Sequence, residues 1–290
     1  MREADRELSE ASIGAGFGAA DQDTVNEAPI LNWMDRRLDF GRPAPLKKSY
    51  IVAASYRCGS TFFCSQLWRT GVLGAPGEYL NVGEGRRLRD VMMRRLRVAS
   101  PEGYFAKLLG CRTSKNGIFG MKVHFPHFVA AVSWYPSLIA ALSPLTFIYL
   151  DRRDKLAQAV SMARAMQSDA WSSMDGEFEV PLTYDEASIA QCLREIQHQT
   201  LGWRRWFDAN HIQPFVLYYE DAVADTAGAV RSVVELLGVQ GDEPEEIHLP
   251  PIERQSDETN AEWVERFRRE RDRCTELDGG YAGGVFGWES

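Results

Sequence analysis

Three short stretches of the chain are dense in β-branched and aromatic residues: SYIVAA at 49–54, IFGMKVHF at 118–125 and LTFIYL at 145–150. Each reads as a buried strand. Between and after them, apolar positions recur at helical spacing. The segments that do so are TFFCSQLWRTG after residue 60, DKLAQAVSMARAMQ at 154–167, a Gln- and Trp-rich stretch at 185–208 and TAGAVRSVVELLGV at 226–239. EGRRLRDVMMRRLRV at 84–98 has the pattern of a basic amphipathic helix, and a charged helix is expected around 257–274. IQPFVLYYEDA at 212–222 reads as a fourth strand and its exit. Gly71 and Gly74 end the first helix, GAPGEYLN follows as a loop, and the polar residues 168–183 form another. Strands that alternate with helices predict an α/β fold, a central parallel β-sheet flanked by helices on both faces. Ligands of such sheets bind at the carboxyl ends of the strands.

One stretch tests this reading. From Phe125 to Leu150 there is no Asp, Glu, Lys or Arg, a length that could span a bilayer. Pro126, Pro136 and Pro144 divide it, so a buried helix followed by a buried strand is expected and no transmembrane segment. Residues 1–28 are acidic and rich in Ala and Gly and lack an apolar core. They are expected to be a disordered tail and not a targeting signal, with one domain over 29–290.

Composition adds an asymmetry. The chain of 290 residues has a formal net charge of −8, which argues against a general nucleic-acid binder. Residues 31–130 nevertheless hold 17 basic and 6 acidic side chains, net +11, while 131–290 carry 14 and 28, net −14. A basic block inside an acidic protein is a solvated face or an anion site. The five cysteines, at 58, 64, 111, 192 and 274, lack zinc-ligand or CxxC spacing and read as free thiols in a reducing compartment.

Two motifs carry candidate chemistry. SYRCGSTF at 55–62 lies between a strand and a helix. A helix N-terminus offers unpaired N–H groups to an anion, Gly59 permits the tight turn, Ser60 and Thr61 add hydroxyls, and Arg57 adds a fork suited to phosphate or sulfate oxygens. It is not a Walker A loop, because Gly59 stands where the lysine before the hydroxyl residue belongs. The second motif, YLDRRDKLAQAVSMAR at 149–164, puts Arg152 and Arg153 at a strand's carboxyl end and Ser161 on the next helix.

Together these motifs resemble the sulfotransferases that use 3′-phosphoadenosine 5′-phosphosulfate (PAPS). The similarity is greatest to the bacterial branch typified by trehalose 2-sulfotransferase. SYRCGST, GAPGEY, FGMK and RRDKLAQAVS occur in that branch's order, followed by YYED and RQSDETNAEWVERF, so the resemblance spans about 48–270. It implies a P-loop-like sulfotransferase fold and PAPS as donor, with no metal. Arg57, Cys58, Gly59, Ser60 and Thr61 would hold the 5′-phosphosulfate. Arg153 and Ser161 would hold the 3′-phosphate, with Arg254 and Gln255 as further contacts. Glu78 matches the branch's proposed general base, and His124 competes for that role; Lys122 would contact the sulfuryl group. Cys58 replaces the usual serine, which removes a hydroxyl donor and introduces a site of oxidation.

The expected reaction is in-line sulfuryl transfer to a hydroxyl of a carbohydrate or glycolipid, in the cytoplasm or at the inner face of the membrane. Homodimers occur in the resembled branch. The arginines at 86, 87, 89, 94, 95 and 97 form a solvated face, or meet an anionic acceptor or a membrane surface. Trp171, Trp203 and Trp206 belong to the core or stack on sugar rings. Two other readings stand beside the main one. A P-loop-like nucleotide kinase would need the Walker lysine and an acidic Mg²⁺ ligand. A non-catalytic anion- or membrane-binding module would show salt dependence without nucleotide specificity.

Overall fold

The computed structural model describes residues 35–41, 45–81, 93–134, 136–142, 144–171, 180–239, 249, 252 and 258–277. The proposed tail at 1–28, the first part of the basic helix, residues 172–179, Arg254 and Gln255 lie outside the described residues.

Four parallel strands form the centre: β1 (Lys48–Ala54), β2 (Ile118–His124), β3 (Leu145–Asp151) and β4 (Phe215–Tyr218), in the order β2-β1-β3-β4. β1 is buried at every position after Lys48. Its side chains alternate between two cores, as strand geometry requires. Ile51 and Ala53 join Phe119, Met121, Val123, Phe147 and Tyr149 on one face. Tyr50, Val52 and Ala54 join Ile148 and Leu150 on the other.

Helices cover both faces. α1 (Ser60–Arg69) follows β1, and α2 (Pro101–Arg112) precedes β2. α3 (Phe125–Trp134) and α4 (Pro136–Ala140) lead to β3. α5 (Lys155–Ser168) and α6 (Glu186–Ala209) lead to β4. α7 (Tyr219–Ala224), α8 (Thr226–Leu236) and α9 (Glu258–Leu277) follow β4, and a 3₁₀ turn (Arg36–Leu38) precedes β1. α5, α6 and α9 share a third apolar cluster that includes Val160, Ile196 and Trp263.

The uncharged stretch thus packs as helices and then a strand, with the helical part divided at Pro136. Among the described residues no helix is long and apolar enough to cross a membrane. Two elements differ from the sequence pattern. α2 was not predicted, although Ser100 caps it by accepting from the Gly103 N–H at 3.1 Å and Pro101 sits in its first turn. The fourth strand is only four residues long, because the chain turns into α7 at Tyr219.

The registry of the strands sets where their ends meet. Ala54 of β1 is level with His124 of β2 and with Leu150 of β3. Trp203 of α6 closes that end of the sheet: it is fully buried, and its indole N–H donates to the Ala54 carbonyl at 2.9 Å. Phe125, Phe128, Trp206 and Phe207 surround it. Replacement of Trp203 by alanine leaves a large cavity and an unsatisfied carbonyl, at a cost of about 3–5 kcal/mol. Urea denaturation of Trp203→Ala should show a loss of that order with little change in the slope.

Candidate active site

The loop from Ser55 to Gly59 leaves β1 at the level where the strand ends meet. Its backbone is fixed by two buried glutamines. Gln158 of α5 donates from Nε2 to Ser55 Oγ at 2.9 Å and to the Tyr56 carbonyl at 2.6 Å. Gln199 of α6 accepts from the Tyr56 N–H at 3.2 Å. Arg57 and Gly59 both adopt left-handed backbone angles, φ 62° and 81°. At Gly59 a side chain is doubly forbidden, since a Cβ would lie 2.2 Å from the Tyr219 ring. α1 then begins without a side-chain cap, so its first N–H groups face the loop. α5 begins differently. Asp154 caps it by accepting from the Ala157 N–H at 2.8 Å, and Glu220 accepts from the Arg153 and Asp154 N–H groups.

The loop's cations come from three elements. Arg57 donates from Nε to Ser161 Oγ at 3.0 Å, and its guanidinium also bonds the Trp171 carbonyl. Arg152 reaches the Arg57 carbonyl at 3.3 Å and lies over the Tyr219 ring. Lys122 crosses from β2: its ammonium donates to Thr61 Oγ1 at 2.8 Å. The loop lacks the Walker lysine, yet a lysine is delivered to the hydroxyl residue from the neighbouring strand.

That same ammonium lies 2.5 Å from Glu78 Oε1. His124 Nε2 is 3.3 Å from the same oxygen, and Asn81 donates to Oε2 at 3.1 Å. The loop that bears Glu78 is tied to β2, since the Lys122 N–H donates to the Gly77 carbonyl at 2.9 Å. Burial alone would push the Glu78 carboxyl up. The charges of Lys122 and His124 and the hydrogen bonds from both outweigh that and hold it well below the usual carboxylate range.

On the other side of His124 lies a second polar group. Tyr56 and His124 have ring centroids 4.6 Å apart, and the Tyr56 hydroxyl and His127 Nε2 share a hydrogen bond of 3.3 Å. His124 Nδ1 is buried with no hydrogen-bond partner among the described residues. Burial, with the nearby charge of His124, lowers His127 to about 4, so it is neutral at pH 7.

Arg57, Gly59, Ser60, Thr61, Lys122, Glu78 and His124 are therefore gathered at one end of the sheet. Arg153 and Ser161 are not joined. The Arg153 guanidinium forms a bidentate pair with Asp221 at 2.7 and 2.6 Å and lies over Tyr218, while Ser161 bonds Arg57. Cys58 is fully buried, and burial pushes its thiol up, so the exposed, ionised state that oxidation needs is suppressed. Trp203 and Trp206 belong to the core, whereas Trp171 is 42% exposed beside Arg57. Sequence reasoning assigned no role to Tyr56, Gln158, Gln199 and Asp221. Tyr56, Gln158 and Asp221 stood inside quoted motifs and Gln199 in the Gln- and Trp-rich stretch, but their roles come from contacts across the fold, which the pattern does not show.

An anion-ready loop with arginine and lysine around it, beside a carboxylate and a histidine, has the parts that group transfer needs. Residues 49–270 match the model for the Stf0 sulphotransferase family, and the chain belongs to that family; it is a sulfotransferase. Among characterised proteins it is similar to the trehalose 2-sulfotransferase of Mycolicibacterium smegmatis, 29% identical over 261 residues, covering 78% of this chain and 96% of that protein. The trehalose 2-sulfotransferase of Mycobacterium tuberculosis is 26% identical over 260 residues, with the same coverage. Solved structures that match include the sulfotransferase domain from the curacin biosynthetic pathway, at 13% identity and a TM-score of 0.44, covering 79% of this chain and 99% of that one. A sulfotransferase from Alicyclobacillus acidocaldarius matches at 15% identity and a TM-score of 0.40, covering 80% and 95%.

The neutral His127 predicts a pH dependence of stability. The unfolded chain takes up a proton on this histidine below about 6.5, and the folded protein resists it down to about 4. Stability therefore falls as pH drops through that window, by about 3 kcal/mol from this group. Protonation of Glu78 adds a loss of the same sign at lower pH. Urea titrations between pH 4 and 7 should show a shallower slope for His127→Gln than for the wild type.

Proposed function

We propose that this sulfotransferase moves the sulfuryl group of PAPS to a hydroxyl of a carbohydrate, with Glu78 as general base. The observation that carries the reading is the position of Lys122, which holds Thr61 of the anion loop and Glu78 at once. PAPS supplies an activated sulfur–oxygen bond to a phosphate leaving group. The uncapped start of α1, Arg57 and the hydroxyls of Ser60 and Thr61 bind that phosphate and offset the charge that builds on it. The acceptor oxygen forms a bond to sulfur, the bond from sulfur to the 5′-phosphate oxygen breaks, and the acceptor's proton passes to Glu78.

Lys122 links these events. In the free protein it suppresses the basicity of Glu78. A phosphosulfate in the loop competes for the same ammonium, so Glu78 becomes a stronger base once the donor is bound. Arg153 and Ser161 serve the 3′-phosphate in this reading, and for Arg153 that requires exchange of Asp221 for the phosphate. The exchange is mild, since both side chains are more than half exposed and such pairs contribute little. A carbohydrate acceptor is supported by the substrate named for the two mycobacterial relatives. A cytoplasmic setting is supported by the free cysteines Cys58, Cys64, Cys111 and Cys192.

Two outcomes test this. 3′,5′-Adenosine bisphosphate should stabilise the protein to heat more than 5′-AMP or ATP, by about 3 kcal/mol at 100 times its Kd; equal shifts from all three would remove the PAPS assignment. Glu78→Gln should lose transfer by about 10²–10⁴-fold and bind the bisphosphate at least as tightly as wild type, because Lys122 is released to the loop. Transfer at the wild-type rate would assign the base to His124.

A further inference from the structure

The basic excess of residues 31–130 is not consumed by the active site. A cavity of about 350 Å³ opens on another part of the molecule, lined by Arg36, Asp39, Arg95, Leu96, Arg97 and Lys107. It lies between the 3₁₀ turn Arg36–Leu38, the turn that ends at Arg97, and α2. Among the described residues four of the six that line it are cations, and the one carboxylate among them is already committed. Asp39 pairs with Arg95 Nη2 at 2.7 Å and with the fully buried Arg112 at 3.2 Å. Asp35, just outside, is taken by Arg37 at 2.6 Å.

Among the described residues the cavity is therefore short of negative charge. Arg95 Nη1 is buried with no hydrogen-bond partner among the described residues. No ion pair or hydrogen bond among the described residues engages the side chains of Arg36, Arg97 or Lys107. A buried guanidinium N–H without an acceptor costs its desolvation, and like charges gathered around one space repel. Arg97 adds a backbone cost. Its φ is 54°, the left-handed region where a helix end ordinarily places glycine or asparagine. A long cation held there against that preference, facing other cations, is what an oxyanion would repay.

We propose that this cavity is a second anion site, which takes a phosphate or sulfate monoester group. Arginine forks match the paired oxygens of such a group, and the lysine adds a point charge. The volume lies near the lower end of small-molecule sites, ~300–1,000 Å³, so the group can bring part of its carrier. Its lining includes none of Arg57, Lys122 or His124, and its assignment does not depend on the PAPS reading. It does touch the structure that carries Glu78: the Arg112 carbonyl accepts from the Ala75 N–H at 3.1 Å, at the root of that loop.

The variant that tests the site is Arg97→Gly with Lys107→Gln. Both side chains are exposed, and glycine relieves the left-handed angle at 97, so the fold is kept. Thermal stabilisation by inorganic sulfate and inorganic phosphate is measured at constant ionic strength against chloride, with 3′,5′-adenosine bisphosphate present to occupy the donor loop. Wild type and variant share the general salting effect of these anions, so only their difference reports the site. Sedimentation with phosphatidic acid vesicles, whose headgroup is a phosphate monoester, against phosphatidylcholine vesicles gives the second arm. The proposal expects the double variant to bind sulfate or phosphate at least about tenfold more weakly. If the free anions do not discriminate but vesicle binding is lost in the variant, the site stands and its monoester is a lipid headgroup. If wild type and variant respond alike in both arms, the second anion site is overturned.

Discussion

One ammonium group organises the active end of this protein. Lys122 is 5% exposed and has two partners of different kinds, a neutral hydroxyl on the anion loop and a carboxylate on the neighbouring loop. Removing Glu78 from the pair would leave a nearly buried charge, and removing Lys122 would leave the carboxylate with only His124 and Asn81 to offset its burial. The pair therefore fixes the separation between the anion loop and the Glu78 carboxylate. It also couples them, because one cation cannot be fully engaged by two anions at the same time.

The sheet makes this coupling possible. Parallel pairing brings Ala54, His124 and Leu150 to one level, so the loop after β1, the side chains at the end of β2 and the arginines after β3 converge without long connections. Two contacts then set the loop's shape. Tyr219, at the exit of β4, covers Gly59 so closely that only glycine fits, and the YYED and RRD segments clasp each other through Arg152 over Tyr219, Arg153 over Tyr218 and Glu220 on the start of α5. Gln158 and Gln199 hold the loop's backbone from beneath. The strand ends, the glycine and the two glutamines position Arg57 and Thr61, and the chemistry follows from where those side chains can reach.

Much of this was legible in the sequence. β1, β2 and β3 carry an almost continuous apolar pattern because both faces of a parallel sheet are covered, and the loop-to-helix transition at SYRCGSTF is a local signal. α2 was hidden because it has little one-sided apolar character; its evidence lay in Ser100 and Pro101, a cap rather than a period. The gathering of Glu78, Lys122 and His124 could be guessed only by resemblance, since nothing in their spacing places them on one oxygen. The pairing of Arg57 with Ser161, and of Arg153 with Asp221, was not legible at all. Both are set by tertiary geometry, over separations of 104 and 68 residues.

The central claim is that Lys122 restrains Glu78 and releases it to the donor. It is tested most directly by a ¹³C NMR titration of the Glu78 carboxyl, assigned through Glu78→Gln, in the free protein and with saturating 3′,5′-adenosine bisphosphate. The account predicts a titration below the ordinary carboxylate range in the free protein and an upward shift on binding. In Lys122→Met the free protein should already titrate higher, with most of the binding shift gone. A free-protein value in the ordinary range, or a binding shift as large in Lys122→Met as in wild type, would contradict it.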